Sequence, residues 1–224
     1  MPRRGRESWL GLMWEVQVLR RGAVFGRSHE SLITLSEGES VATKGVGDYR
    51  TRAAASKAVM RAGRHYAQFT VGSGCYMFFG VIRPGWDVEG GHDAQRVDGN
   101  CFYYTYNGSR FPAPHGWKGR QGVRRQGDRI GLLVDLDQGT MTVYKNDERL
   151  GVMATGLSGE YSWAVGLWEQ GSSARAMRSS EGASGSEGEG DDAGLALCLA
   201  MDRKSWLDPP KPGLNQARTV PRQK

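Results

Sequence analysis

The chain has 224 residues, enough for one large domain or a medium domain with tails, and long enough to bury a core, which excludes a miniprotein stapled by disulfides or metal. Hydrophobic residues make up 38% of it, and 33 glycines stand against 8 prolines, a composition of many turns plus some sequence unable to fold. The net charge of +6 arises from Arg and Lys scattered from Arg3 to Lys224 among acids, not from one basic stripe, so it gives nucleic acid little support.

Residues 1–28 read as an N-terminal segment with a single predicted strand, Leu12 to Val18, in which Trp14, Val16 and Val18 alternate. The apolar stretch Trp9 to Trp14 behind a basic start stops at Glu15 without a small-residue cleavage site, and no stretch approaches the roughly 18 apolar residues of a membrane span. Cys75, Cys101 and Cys198 form no Cys-x-x-Cys pair and cannot all pair with one another, so a reducing compartment is expected. The reading is a soluble chain, cytoplasmic or nuclear, with no membrane partner.

From Ser31 the pattern has period two, broken by turn residues every eight to fifteen positions. Predicted strands are Ser31–Leu35, Ser40–Thr43, Arg64–Val71, Tyr76–Ile82, Cys101–Tyr106, Asp128–Leu136, Thr140–Lys145, Arg149–Ala154 and Tyr161–Leu167. The clearest is the pair around Asp137-Gln138-Gly139: Ile130, Leu132, Val134 and Leu136 share one face, and Met141 and Val143 continue it on the return. Only Ala53–Met60 reads as helical, a short loop helix at most. Such a series implies an all-β domain of two packed antiparallel sheets over residues 29–177, with loops gathered at the ends. Residues 178–192, rich in Gly, Ser and acids with no large apolar side chain, read as a linker. Residues 193–224 read as a short helix over Ala193–Leu207, entered at Asp191/Asp192 and stopped by Asp208-Pro-Pro-Lys-Pro212, followed by a disordered basic tail.

Four blocks in order resemble a SPRY domain: Gly63-Arg-His-Tyr66 opening a strand; Phe79-Gly-Val-Ile82; Gly127-Asp-Arg-Ile-Gly131 leading through Asp137 to Gly139-Thr140 and ending at Asn146; and Leu150-Gly-Val152 followed by Tyr161-Ser-Trp-Ala-Val-Gly-Leu167. The resemblance covers Ser31 to Met177. It departs where Ala67-Gln68 stands in place of the family's Trp-Glu, and where the closing strand Ala174–Met177 is poorly apolar. It implies a bent, concanavalin-like jelly-roll sandwich that binds a protein or short peptide and holds no catalytic centre, cofactor or metal; a monomer is expected.

Direct searches for chemistry agree with that expectation. Gly156-Leu-Ser-Gly-Glu160 breaks the Gly-x-Ser-x-Gly spelling of a nucleophile elbow. His29, His65, His92 and His115 stand singly, away from any Cys at zinc-ligand spacing. Gly139 follows Asp135 and Asp137 one position too early for the Gly of a calcium loop, which also needs an acid at its twelfth position, and the two acids read as solvent-facing caps of a hairpin. Two other classes stay open. Asp87, Glu89 and Asp93 after Trp86 are the residue types of a carbohydrate site. The aromatic run Phe102 to Tyr106 with the basic run Lys118 to Arg125 could stack and neutralise nucleic acid, although alternating strand aromatics are more often core.

The stretch from Arg83 to Gln126 is longer than a sandwich corner needs, and long loops on a rigid scaffold are where binding residues lie. Arg83, Trp86 and Asp87 follow a strand end with the side chains that anchor interfaces. Tyr103, Tyr104 and Trp117 extend the candidate surface. Trp168 joins it by its spacing from Ala164-Val165, where some SPRY relatives place a ligand-contacting side chain. Trp163 alternates with Val165 and Leu167 and belongs to the core.

Overall fold

The computed structural model describes residues 24–177. The predicted strand Leu12 to Val18, the linker 178–192 and the helix and tail of 193–224 lie outside the described residues. Thirteen strands run through the rest: β1 Arg27–Ser28, β2 Ile33–Ser36, β3 Val41–Lys44, β4 Arg52–Ala55, β5 Arg64–Val71, β6 Met77–Ile82, β7 Cys101–Tyr104, β8 Arg110–Phe111, β9 Arg129–Asp135, β10 Thr140–Lys145, β11 Glu148–Thr155, β12 Ser162–Leu167 and β13 Ser173–Ala176. They form two antiparallel sheets, one of order β1-β4-β12-β6-β7-β8 and one of order β11-β10-β9-β5-β13-β3-β2. Among the described residues the helical content is one 3₁₀ turn, Ala94–Arg96.

Alternation decides which side chains meet between the sheets. Ile130, Leu132, Val134, Met141 and Val143 are all fully buried on one face of the β9–β10 hairpin. They meet Phe79, Val81, Val165 and Leu167 from the facing sheet in one cluster, with Phe69 stacked on Phe79 at 5.2 Å and edge-on to Trp163 at 6.2 Å. Asp135 closes the hairpin by accepting from the backbone N–H of Asp137 (3.1 Å) and Gln138 (2.8 Å), and Gly139 takes φ 64°. The expectation that both acids face solvent needs correcting for Asp135. It is only 8% exposed, because its other oxygen receives Arg64 Nε at 2.8 Å.

The six-stranded sheet is covered on both faces. Phe78, Ile82, Phe102, Ala53, Ala55 and Ala164 point away from the inter-sheet core into a second cluster under Val88 and Ala94, which come from the β6–β7 connection. That double burial explains why β6 and β12 read as continuous apolar runs. It also corrects the expected loop helix over Ala53–Met60. Ala53, Ala54 and Ala55 form β4, paired with Ala164 to Gly166 of β12 and with β1. Alanine's helix preference amounts to a few tenths of a kcal/mol per residue, and two flanking ladders with burial on both faces outweigh it.

β1 and Phe25, which is 1% exposed, extend the sandwich ahead of residue 29. The weakly apolar closing strand takes an interior position as β13, between β3 and β5. Gly80 is required where β6 meets β7: a Cβ there would sit 2.0 Å from the Cys101 carbonyl oxygen.

Candidate binding cleft

On the outer face of the six-stranded sheet, toward the start of β6, the second cluster opens into a cleft of about 230 Å³. Its floor follows from strand register. Phe78 and Tyr104 are direct partners on β6 and β7, and their rings stack at 4.6 Å with an interplanar angle of 11°. Phe111 of β8 closes edge-on against both, at 5.4 Å and 5.6 Å. Tyr76, just before β6, stands perpendicular to Trp168, just after β12, at 5.4 Å. Burial first, then the neighbouring Tyr76, Cys75 and Tyr106, push the Tyr104 phenol far above its ordinary range, so it remains a neutral hydroxyl.

Three connections form the walls. The β3–β4 connection contributes Tyr49, Arg50 and Thr51; the β6–β7 connection contributes Asp93, Gln95 and Arg96; the β12–β13 connection contributes Trp168. One buried cation ties two of them together. Lys44, 1% exposed, donates from Nζ to the carbonyls of Asp48 (3.1 Å), Arg50 (2.5 Å) and Trp168 (2.8 Å), and lies 3.4 Å from the Asp48 carboxylate. Burial, only partly offset by Asp48, pulls its pKa below the usual lysine value. Asp48 in turn receives Arg52 Nη2 at 2.6 Å, and Arg52 Nη1 donates to the carbonyls of Gly90 and Gly91, which brings in the third connection. The lip is open: Tyr49 is 84% exposed and Val46 82%.

The seven residues singled out by sequence separate into groups. Tyr104 and Trp168 meet in the cleft. Arg83, Trp86 and Asp87 follow the opposite end of β6, and none of the three lines the cleft. There Arg83 Nη1 donates to the carbonyls of Ser158 (2.5 Å) and Glu160 (3.3 Å), with its guanidinium over the Tyr161 ring at 4.3 Å. Trp86 is half-buried on the second cluster, and Asp87 caps a turn by accepting from Glu89 and Gly90 N–H. Trp117 packs against the main core and donates from Nε1 to the Gly108 carbonyl at 2.6 Å.

Tyr103 is a correction. It is 0% exposed, in the inter-sheet core, with its hydroxyl donating to the Gln121 carbonyl, because alternation along β7 sends Tyr103 inward and Tyr104 outward. Sequence reasoning missed Tyr49, Arg50, Thr51, Tyr76, Phe78, Gln95, Arg96 and Phe111. A Tyr-Arg pair in the glycine-containing loop Gly45-Val-Gly-Asp-Tyr-Arg50 is the signal that was available.

Some of the residues behind the other two function classes are structurally committed, whereas Glu89, Lys118, Arg120, Arg124 and Arg125 are exposed. Asp93 Oδ1 accepts from Thr51 N–H and Gln95 Nε2. Phe102 and Tyr103 are buried. Among the described residues, no three His, Cys, Asp or Glu side chains gather to hold a metal ion, and no helix is long and apolar enough to cross a membrane.

Comparison with solved structures places this architecture. The chain is similar to the SPRY domain of human HERC1, at a TM-score of 0.55 and 16% identity over 67% of this chain and 95% of that one. It is similar to the TRIM65 PSpry domain at 0.54 and 16%, over 80% of this chain and 100% of that one. No family model and no curated protein matches the sequence. The protein therefore has a SPRY-domain fold.

Proposed function

We propose that the protein is a non-enzymatic interaction module that recognises a short segment of a partner protein in the cleft floored by Tyr76, Phe78, Tyr104 and Trp168. The observation that carries this reading is the aromatic floor lying open beneath an 84% exposed Tyr49, with Arg50 and Arg96 at the rim. Leaving such a tyrosine in water gains nothing for the free protein, whereas Tyr, Trp and Arg are the side chains that concentrate binding energy at protein interfaces. Size points the same way. Small-molecule pockets usually hold roughly 300–1,000 Å³, and about 230 Å³ suits one or two side chains of a peptide. The walls are held by buried hydrogen bonds, so little ordering is left to be done on binding.

Arg83, Trp86, Asp87 and Trp117 serve in this reading to fix the loops behind the cleft. The test is affinity capture from source-cell lysate with the full chain, run beside Trp168→Ala and Tyr49→Ala variants of verified fold. A protein retained by the parent and lost from both variants is expected; identical captures from all three would refute the assignment.

A further inference from the structure

We propose that the cleft is filled in cis by the chain's own acidic segment, residues 181–199, so that an outside partner must displace it. The inference rests on the cleft being the binding surface.

Charge is the first argument. Among the charged side chains of the cleft the only acid, Asp93, is already committed: Oδ1 receives Thr51 N–H (3.3 Å) and Gln95 Nε2 (3.2 Å), and Oδ2 lies 3.2 Å from His92 Nδ1. The nearby Asp48 is held by Arg52 and Lys44, and Glu169, beside Trp168 and close enough to act on Tyr104, accepts from the N–H groups of Cys75 and Tyr76. Arg50 is exposed and touches the ring nitrogen of His92, not a carboxylate. Arg96 is exposed, and no hydrogen bond or ion pair joins its guanidinium to a described residue. Two cations without a carboxylate therefore flank an aromatic floor.

The sequence supplies the complement. Glu181, Glu187, Glu189, Asp191 and Asp192 fall within twelve residues, and Leu195, Leu197 and Leu199 follow at once. Acids leading into leucines match arginines leading onto aromatic rings. Elsewhere the last described residue, Met177, limits the reach. It is nine residues from Trp168 and so at most about 32 Å from it. From Met177 to Asp191 are fourteen residues, able to span about 46 Å extended, which covers that distance with slack. A tether of this length holds the segment at an effective concentration on the order of 1 mM. An intrinsic dissociation constant of about 0.1 mM then fills the cleft about nine-tenths of the time and weakens any competitor about tenfold.

The test uses the full chain. A nitroxide on Cys198, the cysteine of the segment, is read against a diamagnetic label by the amide signals of the protein; Cys75 and Cys101 are buried. The expected result is selective broadening at Tyr49–Thr51 and Gln95–Arg96, unchanged on dilution. It should disappear when the five acids are replaced by Gln and Asn, and in the Arg50→Glu, Arg96→Glu variant. A synthetic peptide of residues 181–199 should bind the acid-neutralised chain about tenfold more tightly than the parent. Absent or uniform broadening, or broadening that survives neutralisation, overturns the proposal. Broadening that falls on dilution overturns it in favour of a second copy. If docking fails while partner capture still depends on Trp168, only this inference falls; if both fail, the cleft reading falls with it.

Discussion

Replacing Lys44 by Met tests how the cleft is built. The substitution keeps most of the side-chain volume and removes one buried ammonium together with its bonds to the carbonyls of Asp48, Arg50 and Trp168. The three carbonyls lie in part-buried bonds, so each left without a donor costs toward the low end of about 1–3 kcal/mol, and removing one partner of even a fully buried ion pair costs at most about 3–5 kcal/mol in all. Asp48 keeps Arg52 and is partly exposed, so its share is small. The total should be about 3 kcal/mol, a substantial part of the roughly 5–15 kcal/mol available to a domain. Urea denaturation gives the global term. Amide exchange at Tyr49–Thr51 and Trp168 gives the local one, and these sites should lose more protection than Ile130 or Leu132 in the core. A loss below about 1 kcal/mol, or equal loosening of core and cleft, would refute the view that Lys44 holds the walls.

Three further outcomes follow from the packing. Burial pushes the Asp128 carboxyl up, but Asn146 Nδ2, the N–H groups of Arg124 and Arg125, and Lys145 outweigh it and hold its pKa below the usual carboxylate value. A carboxylate depressed on folding stabilises above its unfolded pKa of about 4 and stops doing so as pH falls through the folded value; Asp128→Asn should therefore cost about 1–3 kcal/mol near neutrality and nothing in strong acid, read from urea midpoints across pH. Gly80→Ala sets a Cβ 2.0 Å from the Cys101 oxygen, so β6 and β7 must part and soluble expression or the thermal midpoint should collapse. Cys101 is fully buried and its thiol is pushed up to about 11 by burial, so native protein should protect it from a thiol reagent, with labelling appearing only on unfolding.

The sandwich was legible because its evidence is local. Ile130, Leu132 and Val134 announce their shared face by spacing, and Asp137-Gln138-Gly139 announces the turn between them. β4 was not legible, since Ala53-Ala54-Ala55 carries no period and becomes a strand only through pairing with β1 and β12. Only a small part of the cleft was legible for the same reason. Tyr104 and Trp168 stand next to recognisable strands, whereas Tyr49, Arg50 and Arg96 reach the site from connections whose courses depend on Lys44, Asp48 and Arg52 meeting across distant positions. Tyr103 and Tyr104 show the limit most sharply. Both are strand tyrosines, and a single step of alternation puts one in the core and the other in the cleft.

The central claim is that partner affinity concentrates in the cleft. The most direct measurement is the dissociation constant of the captured partner for the parent chain and four single variants, each assayed well below its own thermal midpoint and checked for a native circular-dichroism spectrum. Tyr49→Ala and Trp168→Ala should each weaken binding by about 30-fold or more, the 2 kcal/mol of an interface hot spot, while Trp86→Ala and Trp117→Ala should stay within about threefold. Losses of equal size at all four positions, or larger losses at Trp86 and Trp117, would contradict it.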